Sequence, residues 1–148
     1  MSNKILKLKI VTPEKVVLEE EVNQVTLPTI EGEITILPEH IPLISALKSG
    51  DIVAVSNDEH IPFAVSGGFI EVKRIENTTE VIILADFAEP VANITESEIE
   101  KAKAKAEELK KLQAKGEIVD FEHFEAELER SLNRVKIADK WRTKKYRK

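Results

Sequence analysis

Hydrophobic and polar residues alternate through the first half of the chain. Leu6, Leu8 and Ile10 are separated by Lys7 and Lys9, the period of a strand with one buried face. Thr12-Pro13-Glu14 interrupts the pattern and Val16-Val17-Leu18 resumes it. Val22–Leu27 predicts a further strand, ended by Pro28, and Ile34 and Ile36 alternate with Glu33 and Thr35 in the next. Asp51–Ser56, Ile61–Val65, Phe69–Arg74 and Val81–Ala85 follow, parted by turn signals at Asn57-Asp58, Ser66-Gly67-Gly68 and Glu76-Asn77-Thr78. Roughly ten short strands with frequent turns predict an all-β N-terminal domain, a ten-stranded β-sandwich of two sheets of about five.

One stretch inside this region is stiffer than the rest. Glu31-Gly32-Glu33 reads as a glycine turn, and Leu37-Pro38-Glu39-His40-Ile41-Pro42-Leu43 places two prolines four residues apart. Each proline removes a donor and holds the preceding residue extended, which excludes a helix and predicts a corner at a sheet edge. The Gly67-Gly68 pair fits either a hairpin turn or a close backbone approach. No helix pattern and no lysine follow it, so a phosphate loop is not expected.

Strand signals stop near Phe87, Pro90 intervenes, and from Thr95 the period becomes helical. Thr95 and Glu98 have the spacing of a capping box. Ile99, Ala102, Ala106, Leu109 and Leu112 or Gln113 form a narrow stripe, and Gly116 ends the helix. Asp120 is placed to cap a second helix carrying Phe121, Phe124, Leu128, Leu132, Val135, Ala138 and Trp141 on one broad face. The expected division is therefore residues 1–88, the sandwich, and 89–148, an antiparallel two-helix hairpin. Mostly alanine faces the partner from the first helix. A buried Leu or Ile contributes about 1.5–3 kcal/mol, against roughly 1–2 kcal/mol of backbone ordering per residue. A firm sandwich and marginally docked helices are expected; a static hairpin and one moved by a partner both remain open.

Composition narrows the function classes. No cysteine is present, which removes disulfides, thiolate metal sites and a thiol nucleophile. No apolar run reaches the length of a membrane span, and the N-terminus lacks the apolar core of a signal peptide, so a soluble protein of a reducing compartment is expected. The net charge of −5 conceals an asymmetry: residues 139–148 carry six cations and one anion, leaving −10 for the rest. Lys140, Arg142, Lys144 and Lys145 in that basic end suit an acidic protein partner, or form a plain solvated helix end. Nucleic acid is not expected, because the acidic body repels phosphates. His40, His60 and His123 fall in different elements without metal-ligand spacing, and the carboxylates lie among compensating lysines. No metal, no resident cofactor and no catalytic constellation are expected; the chain reads as an interaction protein.

The stretches Thr12-Pro13-Glu14, Leu27-Pro28, Ile36-Leu37-Pro38-Glu39-His40-Ile41-Pro42-Leu43, Leu47-Lys48-Ser49-Gly50 and Val65-Ser66-Gly67-Gly68-Phe69-Ile70-Glu71-Val72, with Leu84-Ala85-Asp86, recur together in one family. On them the chain resembles, over nearly its whole length, the epsilon subunit of bacterial F-type ATP synthase, the counterpart of mitochondrial delta. The resemblance implies a non-catalytic rotor subunit at the cytoplasmic face of the plasma membrane, bound to the gamma subunit and the ring of c subunits. It helps couple proton-driven rotation to ATP synthesis. Leu37, Pro38, His40, Pro42, Leu43 and Phe69 are the implied contacts with stalk and ring. It implies as well that the hairpin regulates, extending toward the alpha and beta subunits to obstruct ATP hydrolysis, with the basic end meeting their acidic segments.

Some family members bind ATP on the hairpin through an I/L-D-x-x-R-A motif and two arginines one turn apart. Here the motif reads Ile99-Glu100-Lys101-Ala102-Lys103-Ala104, with Glu100 for aspartate and Lys103 for arginine, while Arg130 and Arg134 supply the pair. Lysine keeps the charge but loses the planar fork, so weak regulatory ATP binding at best is implied. The same two arginines also read as an ordinary solvated i, i+4 pair. A free nucleotide-sensing module and a carbohydrate- or peptide-binding sandwich are the competing classes, and co-purification with gamma separates them from a rotor subunit.

Overall fold

The computed structural model describes residues 4–116 and 121–145. Eight strands come first: β1 (Leu6–Val11), β2 (Val16–Val22), β3 (Gln24–Thr29), β4 (Gly32–Ile36), β5 (Leu43–Ala46), β6 (Gly50–Ser56), β7 (Glu59–Ile75) and β8 (Thr78–Pro90). A single 3-10 turn (Val91–Asn93) precedes two helices, α1 (Glu96–Ala114) and α2 (Phe121–Lys145). The chain divides into two compact units, Met1–Pro90 and Val91–Lys148.

Long strands β7 and β8 make the sandwich. The second half of β7 pairs with β5, its first half pairs with β6, and β8 runs antiparallel to it from Phe63 to Ile75. The first part of β8 also pairs, in parallel, with β1. One layer is therefore β2-β1-β8-β7-β5, and the other continues from the remaining halves of β7 and β8 through β6 and β3 to β4. Counted by layer, the eight strands supply ten segments, five on each side.

The long strands correct two expectations. Ser66-Gly67-Gly68 is not a turn between strands, and β8 does not end at Ala85 but continues to Pro90. The glycines serve the other purpose foreseen for them, close approach. A Cβ at Gly68 would lie 2.0 Å from the Leu84 carbonyl oxygen, and both Gly67 and Gly68 adopt positive φ, +62° and +116°. Two strands can bend together from one layer into the other there because nothing but hydrogen occupies the crossing point. Pro28 lies inside β3 rather than ending it, beyond the stretch that pairs with β6, and its carbonyl accepts from the Lys48 N–H at 3.0 Å.

The inward residues form one continuous core. Leu6, Leu8 and Ile10 from β1 meet Ile70 and Val72 from β7 and Val81 and Ile83 from β8; Val25, Leu27, Ile36, Ile52, Phe63 and Val65 close it from the other layer. Period-two burial in the strands matches the alternation in the sequence.

In the second unit α1 begins at the expected capping box: the Glu98 N–H donates to Thr95 Oγ1 at 3.2 Å, and the Thr95 N–H donates to Glu98 Oε2 at 3.0 Å. The helix ends at Gly116, whose φ is +67°. The expected Asp120 cap and the Phe121 side chain lie outside the described residues. Ile99, Ala102 and Ala106 are the buried positions of α1. On α2 most of the expected face is turned inward, with Phe124 and Ala138 buried and Leu128, Val135 and Trp141 half-buried; Ile137 is buried in addition. Phe124, Ser131 and Ala138 are buried at seven-residue spacing, and Leu132 is 42% exposed. Small residues therefore make up much of the buried seam: Ala102 and Ala106 on α1, Ser131 and Ala138 on α2.

Candidate functional site

Two surfaces carry the features that function can use, one in each unit. On the sandwich, the corner between β4 and β5 is built by local bonds. The His40 N–H donates to the Leu37 carbonyl at 3.1 Å, and His40 Nδ1–H donates to the Ile41 carbonyl at 2.7 Å. Glu39 takes a φ of +74°. Its N–H is held by Thr79 Oγ1 at 2.8 Å and its carboxylate by Lys4 at 2.9 Å. The hydrogen bond and charge of Lys4 hold the Glu39 carboxyl below its ordinary range. The corner displays Leu37 at 52% and Ile41 at 72% exposure. Pro38 is half-buried and Pro42 exposed, while Leu43 packs against the core, leaving Ile44 as the outward residue.

Phe69 does not join the corner. It stands opposite Ala46, at the other end of β5. Its neighbours are in register across the whole layer: Ala46, Phe69, Leu84, Val11 and Val16 face one another on β5, β7, β8, β1 and β2. Phe69, Leu84 and Val16 are 59%, 55% and 50% exposed. The next row reads Ile44, Glu71, Ile82, Lys9, Glu19, and the one after it Lys73, Glu80, Lys7, Glu21. The outer face thus grades from wholly apolar through mixed to wholly charged. An ordinary antiparallel sheet turns polar residues outward, so this apolar row is the candidate interaction surface of the sandwich.

Of this row only Phe69 was a site residue by sequence. The signal for Leu84 was present in Val81-Ile82-Ile83-Leu84, where four apolar residues in succession leave two facing outward. Nothing in the sequence announced Val11 or Val16 as its neighbours, because their alignment depends on the β1–β8 register.

In the hairpin, α1 and α2 form a groove of about 340 Å³. Ala102 and Ser131 lie at its floor, with Glu98, Lys101 and Lys105 on the α1 side and Glu127, Arg130 and Arg134 on the α2 side. Two ion pairs cross it: Arg134 with Glu98 at 3.9 Å, and Lys105 with Glu127. A third, Lys103 with Asp139 at 4.0 Å, lies on the opposite flank. The Glu98 carboxyl is held below its ordinary range by the Thr95 N–H and by Arg134, and that of Glu127 by Lys105.

Arg130 and Arg134 both line this groove, alongside Glu98, Lys101 and Lys105. The remaining motif positions are not in the groove: Ile99 is buried, Glu100 and Ala104 are exposed, and Lys103 is on the other flank. Lys140 lies 5.8 Å from the centre of the Trp141 ring. The Arg142, Lys144 and Lys145 side chains lie outside the described residues. Among the described residues no helix is long and apolar enough to cross a membrane.

Residues 5–91 match the family model of the ATP synthase delta/epsilon chain beta-sandwich domain. That is the class the two layers define. The ATP synthase epsilon chain of Desulforamulus reducens is 41% identical over 92% of this chain and 98% of its own length. The chain belongs to the ATP synthase epsilon chain family. Two solved chains share the fold at lower identity. One is in the Euglena gracilis mitochondrial ATP synthase OSCP/F1/c-ring structure, with TM-score 0.63, 22% identity and coverage of 99% of this chain and 84% of that one. The other is in the Tetrahymena thermophila mitochondrial ATP synthase central stalk/c-ring structure, with TM-score 0.53, 16% identity, and coverage of 95% and 98%.

Proposed function

We propose that this protein is a non-catalytic central-stalk subunit of a proton-translocating F-type ATP synthase. It docks on the gamma subunit through the graded outer face of the sandwich. The row Ala46-Phe69-Leu84-Val11-Val16 is the observation that carries the reading, since a rotor subunit must hold its shaft under torque and a broad apolar strip supplies a salt-insensitive grip. Membership of the epsilon chain family and the likeness to a chain of a central stalk/c-ring structure support gamma as the occupant. The corner at Leu37–Pro42, with Ile41, meets the stalk and the c-subunit ring. In this role the subunit is peripheral, at the cytoplasmic face of the plasma membrane, and helps couple proton-driven rotation to ATP synthesis.

The hairpin regulates. It responds to the alpha and beta subunits through the basic end at Lys140, Arg142, Lys144 and Lys145, and restrains ATP hydrolysis. ATP binds weakly in the groove beside Arg130 and Arg134. Four cations gathered against two carboxylates support a phosphate ligand there, and the absence of Glu100, Lys103 and Ala104 from the lining supports low affinity.

Co-purification with gamma tests the docking. Phe69→Glu and Leu84→Glu place charge at exposed positions, where folding is undisturbed. Each should weaken gamma binding about tenfold or more, the loss of one large apolar contact and the burial of a charge. Glu21→Gln, in the charged row, should change it little. Retention of gamma by the Phe69→Glu, Leu84→Glu double variant would refute the docking face. Hydrolysis by the assembled complex, with and without residues 89–148, tests the regulatory part.

A further inference from the structure

Glu98 occupies an unusual position. Its Oε2 accepts from the Thr95 N–H at 3.0 Å, closing the cap of α1, and lies 3.9 Å from an Arg134 guanidinium nitrogen across the groove. Arg134 is the more enclosed of the two: its side chain is 22% exposed against 43% for Glu98. One oxygen thus serves both the first turn of α1 and the arginine that a phosphate chain would have to engage. An anion entering the groove meets an arginine that already has a carboxylate.

We propose that Glu98 is the resident counter-ion of the groove, so that a phosphate chain binds by displacing Glu98 from Arg134 and the charge at residue 98 sets the affinity. This rests on the ATP reading of the groove given above, and adds to it the residue that opposes the ligand. Displacement does not leave Glu98 stranded, because the same oxygen keeps its bond to the Thr95 N–H. The exchange therefore trades one partner of Glu98 and leaves the helix cap in place. Lys105 and Glu127 form the second resident pair, farther along the groove.

Glu98→Gln is the direct test, since glutamine at this position still closes a capping box but carries no charge. Calorimetry on the full chain with ATP, and separately with inorganic tripolyphosphate, should show both ligands binding about two- to fivefold more tightly to the variant, the range of a partly exposed ion pair. Glu100→Gln, an equal change in charge outside the groove, should leave both affinities unchanged. In an Arg134→Ala background the gain from Glu98→Gln should vanish. Loss of binding in Arg134→Ala without any gain in Glu98→Gln would overturn the displacement and leave the ATP reading standing. Failure of wild type and Glu98→Gln alike to bind either ligand at millimolar concentration would overturn both. A gain for ATP but not for tripolyphosphate would also overturn the displacement, because it assigns the competition to the phosphate chain.

An arm without variants follows the carboxyl carbon of Glu98 by NMR during tripolyphosphate titration of the wild-type chain. The Glu98 signal should move with occupancy while that of Glu100 stays. Equal movement of both, or of neither while calorimetry records binding, would count against displacement.

Discussion

Gly68 shows how much one hydrogen atom can decide. Alanine there would place its Cβ 2.0 Å from the Leu84 carbonyl oxygen and 2.8 Å from Ala85 Cα, at a φ of +116°. Neither contact can give way by moving a flexible side chain, since both atoms are backbone. Gly68→Ala should therefore destabilise the sandwich by roughly 3 kcal/mol or more, combining strain and clash, read as a fall in the urea midpoint of the strand signal near 217 nm. The lowered carboxyls are the other residue-scale device. Glu98 and Glu127 titrate below their ordinary values in the folded hairpin, chiefly through the Thr95 N–H and Lys105 respectively. A depressed folded pKa favours the folded state above the unfolded pKa, and that contribution is lost as the pH falls through the folded value. Helix signal at 222 nm should fall on acidification below about pH 4.5, with a smaller response in Glu98→Gln, which has no proton to take up.

Among the elements, α1 depends most on its ends and flanks. Its buried residues are one isoleucine and two alanines, so little apolar area holds it to α2. Capping and ion pairs carry a correspondingly large share. Thr95→Ala removes the acceptor for the Glu98 N–H and should cost about 1 kcal/mol, whereas Thr95→Ser should cost almost nothing. Measurement of helix melting at 222 nm separates the two. The flanking pairs should also make the hairpin sensitive to salt. Raising NaCl from about 0.1 M to about 1 M shortens the Debye length from about 10 Å to about 3 Å. The hairpin midpoint, followed by Trp141 fluorescence, should then fall while the sandwich midpoint holds. A hairpin that gained stability in salt would show that apolar packing, not the ion pairs, holds its helices.

Across the whole molecule, the exposed apolar row lies on the sandwich and the cation-rich groove on the hairpin. The sandwich offers its partner an apolar row, and the hairpin offers a laced set of cations and carboxylates. The proposed docking on gamma through Phe69 and Leu84 should accordingly survive about 0.5 M salt, while the proposed ATP binding in the groove should weaken steeply over the same range. Pull-down and calorimetry at matched salt concentrations read both. The corner at Leu37–Leu43, the capping box and the division into strands followed by helices were legible locally, since each rests on residues a few positions apart. The separation of Phe69 from the corner was not legible, because it depends on the β5–β7 register.

Chemistry between near neighbours is enough to place a strand, a cap or a proline corner, because alternation, helical period and X-Pro sterics act over a few residues. It was enough also for the family, whose motifs are short and contiguous. Folding decided the rest. Phe69, Leu84, Val11 and Val16 became one strip only when β1 aligned with β8 and β8 with β7. Gly67-Gly68 became a crossing point rather than a turn only when a second strand lay against it. On the hairpin, the pairing of α1 with α2 set Glu98 against Arg134 and Lys103 against Asp139. Register and rotation between elements are set by contacts tens of residues apart, and no local pattern carries them.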